Sequence, residues 1–154
     1  AVNGRRYMEQ LVHHHVSGQL KLAPEHSQVA VLELMGKPGP ESLLEFKKRF
    51  DEINRQTGAK QYLTYYLVAA HPGCREEDMR KLRRFALHHL RLLPEQVQVF
   101  TPTPSTWSTA MYCTGMAPGS GQPLAVARDT GARLRQLRLL TSGAVKRGVA
   151  RAAH

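Results

Sequence analysis

The side chains with the widest chemical range in this 154-residue chain are two cysteines, Cys74 and Cys113, and eight histidines. Their spacing restricts what they can do. An iron–sulfur cluster takes three or four thiolates, so two thiols far apart in sequence do not furnish a ligand set. A secreted disulfide framework would use more cysteines, and the pair reads as free thiols of a reducing, cytoplasmic setting. His13-His14-His15 and His88-His89 are runs of adjacent histidines. Neighbouring residues on a helix point about 100° apart and do not converge on one ion. Glu25-His26 sets a carboxylate beside an imidazole, a pair suited to acid–base work or to ligand contact. His71 precedes Pro72 at the end of an apolar run, where it either closes the turn or meets a ligand.

The elements that would position these groups follow from periodicity. Arg5 to Val16 carries Met8, Leu11 and Val12 at helical spacing and stops at Ser17-Gly18. Gln19 to Ala23 alternates as a strand. Ser27 is placed to cap a short helix through Met35, ended by Gly36. Ser42 and Glu45 fit a capping box ahead of the stripe Leu43, Phe46, Phe50 and Ile53, which Gly58 terminates. Gln61 to Ala70 reads as a mostly buried strand broken by His71-Pro72-Gly73. Glu76, Glu77 and Asp78 open a helix whose later turns hold Arg80, Lys81, Arg83 and Arg84, in accord with the helix dipole, with Met79, Leu82, Ala86 and Leu90 inward. Gln96 to Thr101 is the last strand, and Pro102 and Pro104 prevent its continuation.

Strands near 20, 62 and 97 separated by helices predict an α/β fold of parallel β/α units. Ligands of such folds gather at the carboxyl ends of the strands. Three loops converge there: Ala23-Pro24-Glu25-His26, Ala70-His71-Pro72-Gly73 and Thr101-Pro102-Thr103-Pro104.

Composition sets the outer bounds. Hydrophobic residues make up 42% and charged residues 22%, as in a globular domain. No apolar run reaches the ~18 residues of a membrane span, and the first residues lack the apolar core of a signal peptide. The chain begins without Met, which reads as a cut or processed end. A net charge of +10 leaves room for RNA or another polyanion as partner. Arg128 to Arg151 holds seven basic residues against one acid, Asp129, and forms the basic end of the chain.

At the strand-end loops the sequence resembles YgiQ-type radical S-adenosylmethionine proteins, an uncharacterised family. The resemblance is carried in order by Gln19 to His26, Leu32 to Pro38, Lys60 to Leu63, Ala69 to Gly73, Pro94 to Gln98, Phe100 to Pro104 and Ser108 to Tyr112, from about Tyr7 to Gly115. Two positions depart from the pattern: Tyr65, where relatives often have Pro, and Ser105, where they often have Gly. More loosely, the layout is similar to the radical S-adenosylmethionine half of methylthiotransferases.

The resemblance implies strands four to six of a partial (β/α)6 TIM-like barrel. Residues 1–115 would be the C-terminal half of that barrel, and residues 116–154 a basic extension that is disordered or partly helical. In the intact family protein the cofactors are S-adenosylmethionine and a 4Fe-4S cluster held by Cys-x3-Cys-x2-Cys. That motif does not occur here, so the cluster is not expected in this chain and no autonomous catalysis is expected of it. The resemblance carries over one wall of the cofactor site. Glu25, His26 and Ser27 would make polar ribose or carboxylate contacts; Ala70, His71, Thr101 and Pro102 would lie near adenine. It supplies no substrate. A half barrel would leave strand edges unpaired, and the isolated chain is expected to self-associate. A basic module that binds RNA or another polyanion without catalysis is the second expectation.

Overall fold

The computed structural model describes residues 2–91 and 96–142. Pro94-Glu95 and residues 143–154 lie outside them. The element order is α1 (Val2–His14), β1 (Gln19–Glu25), α2 (Val29–Leu34), α3 (Pro40–Thr57), β2 (Tyr62–Ala69), α4 (Glu76–Phe85), a π-helical turn (Ala86–Leu90), β3 (Gln96–Val99), α5 (Trp107–Thr114) and α6 (Thr130–Thr141). The three strands form one parallel sheet in the order β1-β2-β3, with Gln19 beside Tyr62 and Leu67 beside Val97.

Side-chain alternation along β2 shows which face the helices cover. Leu63, Tyr65, Leu67 and Ala69 are buried, whereas Tyr62, Thr64, Tyr66 and Val68 are not. Leu63 and Tyr65 pack with Met8 and Val12 of α1, Phe50 and Ile53 of α3, and Ala86 and Leu90 of the π turn. Leu67 and Ala69 pack with Val31 of α2, Met79 and Leu82 of α4, and Leu140 of α6. The helices therefore meet one face of a sequentially ordered sheet. The other face is polar: Gln19 donates to Thr64 Oγ1 at 2.8 Å, and the Lys21 ammonium donates to Gln96 while lying 5.6 Å from the centre of the Tyr66 ring.

The α/β reading, the strand centres and the apolar stripes agree with this architecture; several helix starts do not. Ser27 does not cap α2. Gln28 occupies the cap position, and no side chain bonds there. Nor do Ser42 and Glu45 form a capping box, because α3 begins earlier, with Gly39 as cap and Pro40 in its first turn. Proline suits that position: its fixed φ is helical and its missing N–H had no partner to lose. In α4 the backbone N–H of Arg75 donates to Asp78 Oδ2 at 2.9 Å.

The described part of the basic segment after Gly115, residues 116–142, packs against the rest of the fold. Asp129 caps α6 by accepting from the Ala132 N–H at 2.8 Å, and Leu140 is fully buried. Gln136, only 5% exposed, accepts from the Ala70 N–H and donates to the Cys74 carbonyl, both at 3.1 Å. Gly73 donates to the Ala125 carbonyl at 2.8 Å. Residues 125–140 thus brace the loop after β2. Leucine at position 136 would leave a buried N–H and a buried carbonyl unpaired, at roughly 1–3 kcal/mol each. Gln136→Leu is expected to lower unfolding stability by about 2–6 kcal/mol in urea titration; a loss under about 0.5 kcal/mol would show that the brace is dispensable.

Candidate functional site

Proline, a bulge and backbone strain shape the carboxyl end of β1. The pairing register with β2 shifts between Leu22 and Glu25, across Ala23-Pro24. Glu25 then takes φ +65°, and the His26 N–H donates to the Pro24 carbonyl at 2.7 Å, which closes a tight γ-turn. Bulges of this kind re-aim a side chain at the end of a strand. Here the Glu25 carboxylate faces a recess of about 230 Å³, together with Met35, Tyr66, Val68, His71, Gln98, Phe100, Thr101 and Ser108. Lys37 meets Glu25 at 2.9 Å and also donates to the Ala23 carbonyl.

His71 is the buried polar centre of this recess, 3% exposed. Its Nδ1 lies 2.8 Å from the Pro72 carbonyl, which can only accept, so Nδ1 carries the proton. Its Nε2 is therefore the acceptor for the Ser108 hydroxyl at 2.9 Å. Burial holds the His71 pKa below 6.5, opposed by the Pro72 contact and by the Glu25 charge. Phe100 packs edge-on against the imidazole, with 5.2 Å between centroids. The site thus offers one carboxylate, one neutral imidazole bonded to a serine hydroxyl, the Thr101 hydroxyl, and an aromatic wall.

Of the seven residues singled out in the sequence, Glu25, His71 and Thr101 line the recess. His26 and Ser27 are turned into the protein, at 1% and 4% exposure. His26 Nδ1 accepts from the Gln28 N–H at 3.0 Å, and its Nε2 lies 3.5 Å from Cys74 Sγ. Ser27 Oγ accepts from the Gln28 amide at 3.3 Å. Ala70 is buried, at φ +61°, and its N–H is held by Gln136. Pro102 is half-buried and does not line the recess. Strand parity is the signal that would have found Tyr66, Val68 and Gln98, which share the face opposite the core; Ser108 lies in a stretch that carries the resemblance but had no site role there, and it arrives through the N-terminus of α5.

Cys74 is buried against His26, and burial, aided by the Asp78 charge, pushes its thiol up to about 12. It is protonated at neutral pH. Cys113 is exposed. Among the described residues no three His, Cys, Asp or Glu side chains stand together as a metal site.

Burial lowers the His26 pKa from 6.5 to about 4. The unfolded chain therefore binds the proton first, and stability falls as pH drops from about 6.5 to about 4. The full loss from this group is roughly 3 kcal/mol. Urea melts at successive pH values are expected to show that loss and to show it reduced in His26→Gln; an equal slope in both proteins would remove His26 as its source.

No protein-family model matches the chain. It is 51% identical over 138 residues to a UPF0313 protein of Fusobacterium nucleatum, a match that covers 90% of this chain and 24% of that protein. It is 49% identical to a UPF0313 protein of Geobacter sulfurreducens, over 87% of this chain and 22% of the relative. A UPF0313 protein of Methanosarcina mazei is 45% identical over 84% of this chain and 20% of its own length. The chain is thus similar along most of its length to bacterial and archaeal UPF0313 proteins, and spans about a quarter of the relatives it matches.

Proposed function

We propose that the chain is part of a radical S-adenosylmethionine protein of the YgiQ type, the family to which the UPF0313 name refers, and that it forms one wall of the S-adenosylmethionine site. The observation that carries this reading is the recess at the carboxyl ends of the strands, lined by Glu25, His71, Phe100 and Thr101. Glu25 is suited to accept from ribose hydroxyls, Phe100 to pack on a purine, and Gln98 and Thr101 to hydrogen-bond its edge. At about 230 Å³ the recess is smaller than a typical pocket for a whole ligand of this size, ~300–1,000 Å³, so the opposite wall belongs to another segment. Reductive cleavage, with an electron from a cluster held elsewhere in the intact protein, is the chemistry that S-adenosylmethionine would bring. The residues present do not fit that cluster: two thiols, Cys74 buried and Cys113 exposed, do not furnish its three or four thiolates.

A partial TIM-like barrel is the architecture that supports this role best. Parallel sheets are ordinarily covered on both faces, yet the helices of the two core clusters, α1 to α4 and α6, all meet one face of this one. Its strands also follow one another in sequence order, as in a barrel. The polar open face, with Lys21, Tyr66, Gln96 and Gln98, would then be barrel interior. A reducing, cytoplasmic setting is consistent with two free thiols; among the described residues no helix is long and apolar enough to cross a membrane.

Titrating isotope-labelled chain with S-adenosylmethionine is expected to shift the amide resonances of Glu25, His71, Phe100 and Thr101. Glu25→Gln should weaken binding about tenfold, the worth of a charge-assisted hydrogen bond. Shifts absent from these loops, or an unchanged affinity in the variant, would overturn the assignment. A second expectation concerns assembly. The outer edges of β1 and β3 have no strand partner among the described residues, and such edges recruit other chains. Sedimentation equilibrium should reveal concentration-dependent association; a monodisperse monomer with a sharp thermal transition would count against it.

A further inference from the structure

We propose that a basic groove between α3 and the π turn binds contiguous phosphate groups. The groove encloses about 560 Å³ and is lined by Leu44, Lys47, Lys48, Asp51, Arg55, His88, His89 and Arg91. Four permanent cations and two imidazoles there face a single carboxylate. That carboxylate, Asp51, is taken by Lys47. Among the described residues no ion pair engages Lys48, Arg55 or Arg91; Arg55 Nε donates to the Asp51 carbonyl within α3, and Lys48 and Arg91 are exposed on the groove.

Helix-dipole complementarity accounts for part of this set. Arg55 ends α3, and His88 and His89 end the π turn. It does not account for Lys47 and Lys48, which lie mid-helix and line the same concavity from a segment distant in sequence. Two backbone features concentrate here as well. The π-helical turn Ala86–Leu90 ends α4, at the position where such wide turns ordinarily close a helix. Arg91 closes it at φ +58°, one of the few non-glycine residues with positive φ among those described. The turn places His88, His89 and Arg91 together on the groove.

Three arginines of the described C-terminal segment have partners within the fold. Arg128 donates to the Cys113 carbonyl and lies over the Tyr112 ring. Arg133 donates to the Phe100 carbonyl, and Arg135 bonds Glu76. These arginines serve the fold. Apart from histidine the groove has no aromatic ring on which a base could stack, so recognition would be of phosphate, whether in a free polyphosphate or along an RNA backbone.

The test is calorimetry with inorganic tripolyphosphate and, separately, fluorescence anisotropy with a short single-stranded RNA, at low and moderate salt. The expected result is tripolyphosphate binding that weakens with salt and falls at least tenfold in Lys48→Glu/Arg55→Glu, while Arg138→Glu on α6 leaves it unchanged. RNA binding lost in the same double variant would identify a nucleic-acid backbone as the source; binding of tripolyphosphate alone would identify a free polyphosphate. Absence of binding to either, or losses equal in Arg138→Glu, would overturn the proposal. Should charge reversal unfold the chain, Lys48→Ala/Arg55→Ala reads the same outcome, with a several-fold loss expected and an undiminished affinity overturning it.

Discussion

The amide of Gln136 is the interaction on which the candidate site depends. It bridges the Ala70 N–H and the Cys74 carbonyl, the two ends of the loop that carries His71. That loop cannot satisfy its own backbone, because Ala70 sits at positive φ and Pro72 has no N–H to offer. A buried, unpaired peptide group costs more than most single contacts contribute, so the loop needs an external donor and an external acceptor. One glutamine side chain supplies both. The position of His71 is thereby tied to a helix that arrives more than sixty residues later, with Gly73 held to Ala125 as a second tether.

A second constraint follows from the sheet. All three strands run parallel in sequence order, and each connection returns over the same face. The core is therefore one-sided. Burial alternates strictly along β2, and the uncovered side has acquired polar partners rather than apolar ones. Gln19, Thr64, Lys21 and Gln96 bond one another across the strands. An apolar face left bare would invite nonspecific association; this face is instead built to meet water or polar atoms. Unpaired backbone at the edges of β1 and β3 is what remains to recruit another chain or segment.

The sequence was legible where a physical rule acts locally. Leu43, Phe46, Phe50 and Ile53 follow a helical period, and β2 and the acidic start of α4 are where charge and hydropathy placed them. The helix starts at Ser27 and Ser42 were misread for one reason. A serine before an apolar stripe resembles a cap, but the first turn was set by Gln28 in one case and by Gly39-Pro40 in the other. In the site, Glu25, His71 and Thr101 could be placed because they lie at strand ends. The inward turn of His26 could not, because it depends on a bulge at Ala23-Pro24 that shifts the parity of the strand. Ser108 and Gln136 were illegible as partners, since each reaches the site from a distant helix and pattern carries no information about such pairs.

Backbone strain marks the same places as side-chain chemistry. The non-glycine residues at positive φ among those described are Glu25, Ala70, Arg91 and Ser105. Three of them lie in the loops that follow β1, β2 and β3. A left-handed residue of this kind costs about 1–3 kcal/mol and persists only where its surroundings over-determine it. Glu25 is held by the γ-turn and Lys37, and Ala70 by Gln136. Ser105 takes φ +63° at a position where the sequence resemblance expects glycine, so the conformation is kept although the residue suited to it is absent. Arg91, the fourth, lines the basic groove. Arg91 is the left-handed residue that ends the π turn, an ordinary helix terminus. Glu25 and Ala70 end no helix; their conformations aim a carboxylate and the imidazole loop at the recess.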